Sequence, residues 1–340
     1  KIDPHAEEKA EYRIYENEKS APQMLGDTDG ADWVGDQPFK GDYSKGSATI
    51  YCDEGFKNIL DEEISVFEYH YPEASIIPYY VSEVEAIDAL IDNKTNAIVV
   101  TRELSEEQRE YIKAKHRLVA KSHCIAVDAV ALITNKANPI NQLSLDDIKM
   151  ILQGEIVNWR QMGWDNTDTI KIVFDNPGSS TLKFMKDKFI GKDGSFPKNA
   201  YAQKTNGQVF DIVKNDRDAL GIISVSWLAD DLTTAKEISI EKRVDNLKNG
   251  SDTISTVLTD EVKILRVSKP DELEGFKPYQ AYINSGEYPL YRKVYMIHTG
   301  SNATLPHAFY SFVTGFIGQK IISQTGIMPY HVHTRLVELQ

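Results

Sequence analysis

The residues best suited to chemistry in this chain lie between 174 and 185, where the sequence reads FDNPGSSTLKFM. An apolar, strand-like run ends there in a turn of small residues and leads directly into an amphipathic helical pattern. Ser179, Ser180 and Thr181 then stand at the N-cap and first turn of the helix. The backbone N–H groups of a first turn have no partner inside the helix, and the helix dipole is positive there. This arrangement is typical of an anion-binding helix N-terminus, although serine and threonine are also common in ordinary N-caps.

Composition narrows the class of protein. The chain has 340 residues, 41% of them hydrophobic, which is enough for two folding units. No apolar run approaches the ~20 residues that cross a bilayer. The formal net charge of −13 argues against a nucleic-acid partner, because phosphate backbones are bound by concentrated Lys and Arg. A small anion held by local donors remains compatible with this charge, because distant charges are screened within ~8 to 10 Å.

The two cysteines, Cys52 and Cys124, are too far apart in sequence for a CxxC redox pair or a zinc-ligand cluster. Both lie in apolar, strand-like surroundings. We therefore expect buried free thiols, with a disulfide between adjacent strands as the alternative. The chain begins at Lys1 rather than at a methionine, from which we expect that a leader was removed.

From Gly46 onward, strand-like and helix-like patterns alternate, which predicts an α/β fold with mainly parallel sheets flanked by helices. The predicted strands cover 48–53, 75–82, 96–101, 123–135, 171–176, 200–203, 220–228 and 288–299. The predicted helices cover 56–69, 84–91, 105–114, 145–152, 181–189, 208–214 and 307–323. The remaining segment, 229–285, carries only weak strand signals.

The long apolar runs at 123–135 and 288–299 are interpreted as two crossings between two lobes that form a hinged clamp. The predicted first lobe comprises residues 46–127 and 294–340, and the predicted second lobe comprises residues 128–293. Residues 1–45 are rich in acids and show little apolar periodicity, so we expect an acidic, solvated N-terminal tether there.

Several segments together resemble the periplasmic phosphate-binding proteins of bacterial phosphate ABC importers, the PstS-like group of type II solute-binding proteins. They are IAVDAVALITNKANP, ILQGEIVNW, GSST, GEYPLYRKVYMI and GQKIISQTGIMP, in this order along the chain. The resemblance covers about 46–339 and implies a two-lobed Venus-flytrap fold that encloses dehydrated inorganic phosphate without a cofactor or metal. It also implies a monomer in the cell envelope that delivers phosphate to a membrane permease. A lipid anchor on a preceding cysteine would fit the acidic tether.

The resemblance also implies site residues, with departures from the family pattern. After the first strand the family presents a hydroxyl and backbone amides to phosphate; here Gly55 and Phe56 match, and Gly55 supplies an N–H but no hydroxyl. Ser82 matches a serine at the next helix start, with a plain N-cap as the alternative. After the third strand the family has a serine and an aspartate, whereas this chain has Thr101 and Arg102.

A second departure is Asp175, which stands where the family has an arginine. We interpret the two departures as one exchange, in which Arg102 supplies the guanidinium and Asp175 accepts the phosphate proton or orients Arg102. The alternative is a surface ion pair between Arg102 and a nearby acid such as Glu103 or Glu106. The expected phosphate-binding residues are Gly55, Phe56, Ser82, Thr101, Arg102, Gly178, Ser179, Ser180 and Thr181, supported by Asp175, Asp128 and Asn206.

Other functions stay open at this stage. If neither Asp175 nor Asp128 accepts a proton, the site would also take sulfate, molybdate or another tetrahedral oxyanion. The same clamp could serve as a phosphate-sensing domain. A phosphate-ester hydrolase is the less favoured class, because catalysis needs a nucleophile, base or metal cluster and we predict no enzyme activity. His331 and His333 have alternate spacing that suits a metal, but a solvated tail is the favoured interpretation.

Overall fold

The computed structural model describes residues 44–229, 238–249, 258–301 and 303–330. Most of the predicted tether, and both His331 and His333, lie outside these residues. In chain order the strands are β1 (Gly46–Asp53), β2 (Ala74–Val81), β3 (Ala97–Val100), β4 (Ala120–Thr134), β5 (Gln142–Ser144), β6 (Lys171–Phe174), β7 (Ala200–Ala202), β8 (Ala219–Ser224), β9 (Lys263–Ile264), β10 (Arg266–Ser268), β11 (Tyr291–Thr299) and β12 (Met328–Pro329).

The α-helices, again in chain order, are α1 (Lys57–His70), α2 (Glu83–Ile91), α3 (Glu106–His116), α4 (Leu145–Gln153), α5 (Ser180–Phe189), α6 (Asn206–Asn215), α7 (Ile240–Asn249), α8 (Gln280–Asn284), α9 (Leu305–Thr314) and α10 (Phe316–Ser323). Short 3₁₀ helices cover Glu54–Phe56, Trp159–Met162 and Val225–Leu228. Among the described residues, no helix combines the length and apolar character that a membrane crossing requires.

The main sheet has the strand order β2-β1-β3-β11-β4-β8-β6-β7. Strands β2, β1 and β3 are parallel, as are β8, β6 and β7, while β11 and β4 run antiparallel to their neighbours at the centre. We call the part built on β1, β2, β3 and β11 the first lobe, and the part built on β6, β7 and β8 the second lobe. Parallel strands buried on both faces explain the short, nearly continuous apolar runs in the sequence.

Strand β4 belongs to both lobes. Its residues up to Ala129 pair with β11, and its residues from Val130 to Thr134 pair with β8. The chain returns beside this point, where the Val130 N–H donates to the carbonyl of Leu290 over 2.8 Å. These pairings put the change of lobe within the segments that the sequence predicts as crossings.

The parallel β-strands of each lobe end at one edge, and the turns that follow them meet between the lobes. In the first lobe these turns follow β1, β2 and β3, and in the second they follow β6, β7 and β8. Helix α1 packs its apolar side against α9, with the ring of Phe67 5.2 Å from that of Phe309. This packing holds the turn after β1 in a fixed place, because that turn leads directly into α1.

Two predictions about helices need correction. The helix expected over 307–323 is two helices, α9 and α10, which meet at Gly315 in an extended conformation. Helix α7 lies in the segment for which only weak strands were expected. Its apolar periodicity rests on Ile240, Val244 and Leu247 among many charges, and an ion pair between Arg243 and Glu62 ties it to α1.

Neither Cys52 nor Cys124 forms a disulfide within the described residues; Cys52 is buried and Cys124 is half-buried. Cys52 lies in β1, which pairs with β2 and β3, whereas Cys124 lies in β4. The two strands are not neighbours in the sheet, so the alternative of a disulfide between adjacent strands is wrong.

Candidate functional site

Helix α5 begins at the interlobe cleft, as its sequence predicts. Ser179 is the N-cap, and its hydroxyl oxygen accepts from the Leu182 N–H at 3.1 Å. The same hydroxyl donates a short hydrogen bond to Oδ1 of Asp175, at the end of the preceding strand. Ser180 and Thr181 occupy the first turn, and all three small residues are buried. The first turn thus presents its donors to the interior of the cleft rather than to solvent.

A carboxylate of the first lobe meets this helix N-terminus. The Ser180 N–H donates to Oδ2 of Asp53 at 3.0 Å, while Oδ1 of Asp53 accepts from the Gly55 N–H at 2.8 Å. Asp53 is the last residue of β1 and is fully buried. One carboxylate therefore caps both its own 3₁₀ turn and a helix of the other lobe, which is what the helix dipole favours.

Glu54, the residue after Asp53, accepts hydrogen bonds from the N-terminus of helix α6 in the same way. Oε2 of Glu54 accepts from the Asn206 N–H at 3.0 Å and from the Asn206 side-chain amide at 2.7 Å. The same amide nitrogen lies 3.2 Å from Oδ2 of Asp175. Asn206 is the first residue of α6 and is fully buried. It therefore links carboxylates from both lobes.

Gly55 and Phe56 lie at the cleft, as expected. The N–H and the carbonyl of Gly55 already have hydrogen-bond partners in the protein. The Gly55 carbonyl accepts from the Ser226 hydroxyl at 3.0 Å and from Nε1 of Trp227 at 3.1 Å. A Cβ at Gly55 would lie 2.9 Å from Oδ1 of Asp53, so the cap on the 3₁₀ turn depends on glycine. The Phe56 ring is buried, with its centroid 5.6 Å from the guanidinium carbon of Arg292.

Arg292 is the buried cation of the cleft. Its Nε and Nη2 both lie 3.0 Å from Oδ2 of Asp128, and its Nη2 donates to the Thr181 hydroxyl at 3.1 Å. The Ser224 hydroxyl donates to the other oxygen of Asp128 at 2.9 Å. The Asp128 carboxylate thus holds the Arg292 guanidinium in place through these hydrogen bonds. Nη1 of Arg292 is buried without a hydrogen-bond partner among the described residues.

Ser82 and Gly178 meet at the edge of the cleft. Ser82 is the N-cap of α2, and its hydroxyl and N–H form a capping box with Glu85. The Val84 N–H donates to the Gly178 carbonyl at 3.4 Å, across the two lobes. A Cβ at Gly178 would lie 2.9 Å from the Ser82 hydroxyl oxygen, so the turn before α5 approaches α2 closely.

Arg102 does not reach Asp175, and the expected exchange between these two positions is wrong. Nε of Arg102 lies 3.7 Å from Oε2 of the buried Glu83, and the Arg102 side chain is 35% exposed. The Thr101 N–H and hydroxyl both donate to the other oxygen of Glu83, at 2.6 and 2.8 Å. Burial, followed by the charge of Asp53, raises the pKa of Glu83. The loop after β3 therefore donates hydrogen bonds to the buried carboxylate of Glu83, which lies at the start of α2.

Asp175 is fully buried, and burial followed by the charge of Asp53 raises its pKa to about 7. Burial also raises the pKa of Glu54, although the hydrogen bonds from Asn206 oppose this shift. Burial raises the pKa of Asp128 as well, although the charge of Arg292 opposes it. The cleft thus combines several carboxyl groups with one guanidinium, and an acid that titrates near neutrality lies at its centre. Within the described ranges, no group of side chains is arranged to hold a metal ion.

Sequence reasoning found the helix N-terminus of α5, Asp175, Asp128 and Asn206, all of which meet in the cleft. It missed Asp53, Glu54 and Arg292. The signal for the first two was present, since Asp53 ends a buried strand and Glu54 follows it directly, at the edge where ligands bind. For Arg292 the local sequence contained no clear signal, because Lys293 follows it directly and only the structure shows which of the two cations is buried against Asp128.

A family model described as a PBP superfamily domain matches residues 40–315. The phosphate-binding protein PstS of Bacillus subtilis is 24% identical over 224 residues, which are 66% of this chain and 61% of that protein. PstS of Borreliella burgdorferi is 24% identical over 251 residues, 71% of this chain and 75% of that protein. A crystal structure from Clostridium perfringens, described as a candidate phosphate ABC transporter substrate-binding protein with bound phosphate, has a TM-score of 0.65. It is 21% identical and covers 84% of this chain and 99% of its own.

The structural similarity confirms the predicted two-lobed fold, and the relatives confirm the resemblance noted from the sequence. Since the family model covers most of the sequence, the chain belongs to the PBP superfamily.

Proposed function

We propose that this protein binds inorganic phosphate between its lobes, as the solute-binding component of an ABC importer. The observation that carries the proposal is a pair of buried donors at the first turn of α5. The Ser180 hydroxyl and Nη1 of Arg292 have no hydrogen-bond partner among the described residues. Buried polar atoms are rarely left unpaired, and donors at a helix N-terminus beside a guanidinium suit a tetrahedral oxyanion. The names of the curated relatives support phosphate as that ion.

The proposed site centres on Ser180, Thr181 and Arg292. The Ser180 N–H and hydroxyl, the Thr181 hydroxyl and the guanidinium would each donate to a phosphate oxygen. Hydrogen bonds to charged groups contribute roughly 1.5 to 3 kcal/mol each, and a micromolar dissociation constant requires about 8 kcal/mol. Three to five such bonds therefore account for useful affinity once dehydration is offset.

The other expected site residues have two kinds of role in the proposed site. Gly55, Phe56 and Gly178 shape the cleft. Ser82, Thr101 and Arg102 lie at its edge with bonds to glutamates, so we assign them no direct contact with the ion.

Asp175 would distinguish phosphate from sulfate. Its hydrogen bond with Ser179 places it at the start of α5, and its pKa of about 7 lets it accept or share a proton at neutral pH. Phosphate carries a proton at that pH and sulfate does not, so sulfate would leave a like charge unpaired. Asp128 is a weaker candidate for this role, because its oxygens are taken by Arg292 and Ser224.

The setting of the protein is part of the proposal. Proteins of similar structure include an ABC transporter substrate-binding protein and a periplasmic phosphate-binding protein, which favours the cell envelope and a membrane permease as partner. We further propose a monomer, attached by a lipid, whose lobes divide near residue 128 and again near residue 294. The switch of β4 pairing between Ala129 and Val130 supports the first of these boundaries.

The proposal is tested by calorimetry with phosphate, sulfate, arsenate and molybdate in a buffer without these ions. Tryptophan emission is followed in parallel, because Nε1 of Trp227 is bonded across the cleft to Gly55. We expect saturable phosphate binding, no sulfate binding, and loss of at least tenfold in affinity for Arg292→Gln. The matched control is Arg109→Gln, since Arg109 lies on α3 and pairs with Glu103 at the surface. A wild-type protein that binds none of these anions at millimolar concentration would overturn the proposal.

A further inference from the structure

Resting on the proposed function, we infer that Asp53 and Glu54 are internal competitors of the anion and set which ions the cleft accepts. Each places a first-lobe carboxylate on the N-terminus of a second-lobe helix, Asp53 on α5 and Glu54 on α6. These are the backbone donors that a bound oxyanion would use. An incoming ion must therefore displace a carboxylate of the protein itself.

The geometry of both contacts is that of an anion in a binding site. Oδ2 of Asp53 lies 3.0 Å from the Ser180 nitrogen, and Oε2 of Glu54 lies 3.0 and 2.7 Å from the two nitrogens of Asn206. Both side chains are nearly inaccessible to solvent, Asp53 at 0% and Glu54 at 6%. Charge-assisted hydrogen bonds in a buried place are stronger than those at a surface. The two carboxylates therefore compete effectively with an incoming anion for these nitrogen donors.

The turn that carries them is fixed to both lobes. The Gly55 carbonyl is held by Ser226 and Trp227 of the second lobe, while the following helix α1 is packed in the first. The Asp53 side chain can leave Ser180 by rotating alone. Glu54 leaves Asn206 most readily when the whole turn separates from α6, which opens the cleft. Asp53 therefore governs affinity for the ion, and both residues govern closure of the lobes.

The same two residues restrict the class of ion. An oxyanion at the first turn of α5 would lie beside Asp53, Glu54 and Asp175, with Arg292 as the buried cation in contact with that turn. An ion whose oxygens carry protons can donate to these carboxylates, whereas a fully ionised one is repelled by them. The preferred class is thus a protonated oxyanion, such as phosphate or arsenate, rather than sulfate or molybdate.

The test compares Asp53→Ala, Asp53→Asn and the double variant Asp53→Ala/Glu54→Ala with wild type. The control is Asp88→Ala, which removes an exposed carboxylate of the first lobe on helix α2. Calorimetry with inorganic phosphate and sulfate gives affinity, and acrylamide quenching of Trp227 emission before any anion is added gives closure. A variant in which the other tryptophans are replaced by Phe isolates the Trp227 signal. Thermal unfolding shows which variants are folded, and Asp53→Asn, which keeps the shape of the side chain, serves if Asp53→Ala does not fold.

We expect Asp53→Ala to bind phosphate at least tenfold more tightly than wild type and to gain measurable sulfate binding, with Asp53→Asn between the two. The double variant should also expose Trp227 to quenching. Equal or weaker phosphate binding by both Asp53 variants, beside a wild type that binds, overturns the inference. If no variant binds either anion, the proposed function fails. Increased Trp227 quenching in the double variant would then still support the closing role of the two carboxylates, and unchanged quenching would overturn that as well.

Discussion

Replacing Asp175 by Asn should change how the stability of the protein depends on pH. Burial raises the pKa of this carboxyl from 3.8 to about 7 in the folded protein. A raised pKa means that the folded state holds its proton more tightly than the unfolded state. The resulting stabilisation is fully present below pH 4 and is lost as the pH rises through 7. Each pKa unit corresponds to 1.36 kcal/mol, so the loss is about 4 kcal/mol.

The Asn variant has no proton to release there, so it should lack this part of the pH dependence. Its amide oxygen still accepts from Ser179, while its nitrogen faces the side-chain nitrogen of Asn206. That unfavourable contact costs about 1 to 3 kcal/mol at every pH and does not change the slope. The variant should therefore be less stable than wild type at pH 4, and should gain about 4 kcal/mol relative to wild type between pH 4 and pH 8.

The assay is urea denaturation in phosphate-free buffers from pH 4 to pH 8, followed by tryptophan fluorescence. Subtracting the wild-type free energy of unfolding at each pH removes the contribution of the other buried acids. The control is Asp187→Asn, whose carboxylate is about half exposed and pairs with Lys183 on the same helix. A difference between Asp175→Asn and wild type that stays within about 1 kcal/mol across this range would refute the assignment of a neutral-pH proton to Asp175.

Four other perturbations test separate parts of the structure. Arg292→Met leaves Asp128 buried without its cation and should cost about 3 to 5 kcal/mol in urea denaturation; a loss below about 1 kcal/mol would contradict the ion pair. Glu63 is buried with neither carboxyl oxygen hydrogen-bonded among the described residues, beside an apolar cavity of about 20 Å³. Because burial raises its pKa, Glu63→Leu should raise the melting temperature more at pH 9 than at pH 5, and an equal gain at both would argue against a protonated Glu63. Burial, with His123 and His307 nearby, lowers the pKa of His298 to about 4, so stability is lost as the pH falls from 6.5 towards 4. His298→Leu should therefore reduce the dependence of the melting temperature on pH in that window. A Cβ at Gly318 would lie 2.5 Å from main-chain atoms of α9, so Gly318→Ala should destabilise by about 1 to 3 kcal/mol despite the better helix propensity of alanine; a stabilised variant would show that the two helices can separate.

The order of strands and helices could be predicted from local sequence patterns, and individual residues show why. Strands of the parallel sheet are short, fully apolar runs, as in Ala97–Val100, because both faces are covered. Ser82, Ser105 and Ser144 each form a capping box at a helix start in the structure, close to the predicted starts of these helices. The break at Gly315 was missed because the apolar periodicity continues through it. Helix α7 was missed because only Ile240, Val244 and Leu247 are apolar among its charged and polar residues, and it packs against α1 and α10.

The sequence by itself determined the α/β order and the start of helix α5 after the small-residue turn at 178–181, because each depends on residues that are neighbours along the chain. The tertiary structure decided which charges meet in the cleft. Asp53 and Ser180 are separated by 127 positions, and Arg292 and Thr181 by 111. Their contacts depend on how the two lobes approach each other, and no local pattern encodes that distance. Burial and the nearby charge of Asp53 then raise the pKa of Asp175 to about 7, and both depend on the assembled fold rather than on the local sequence.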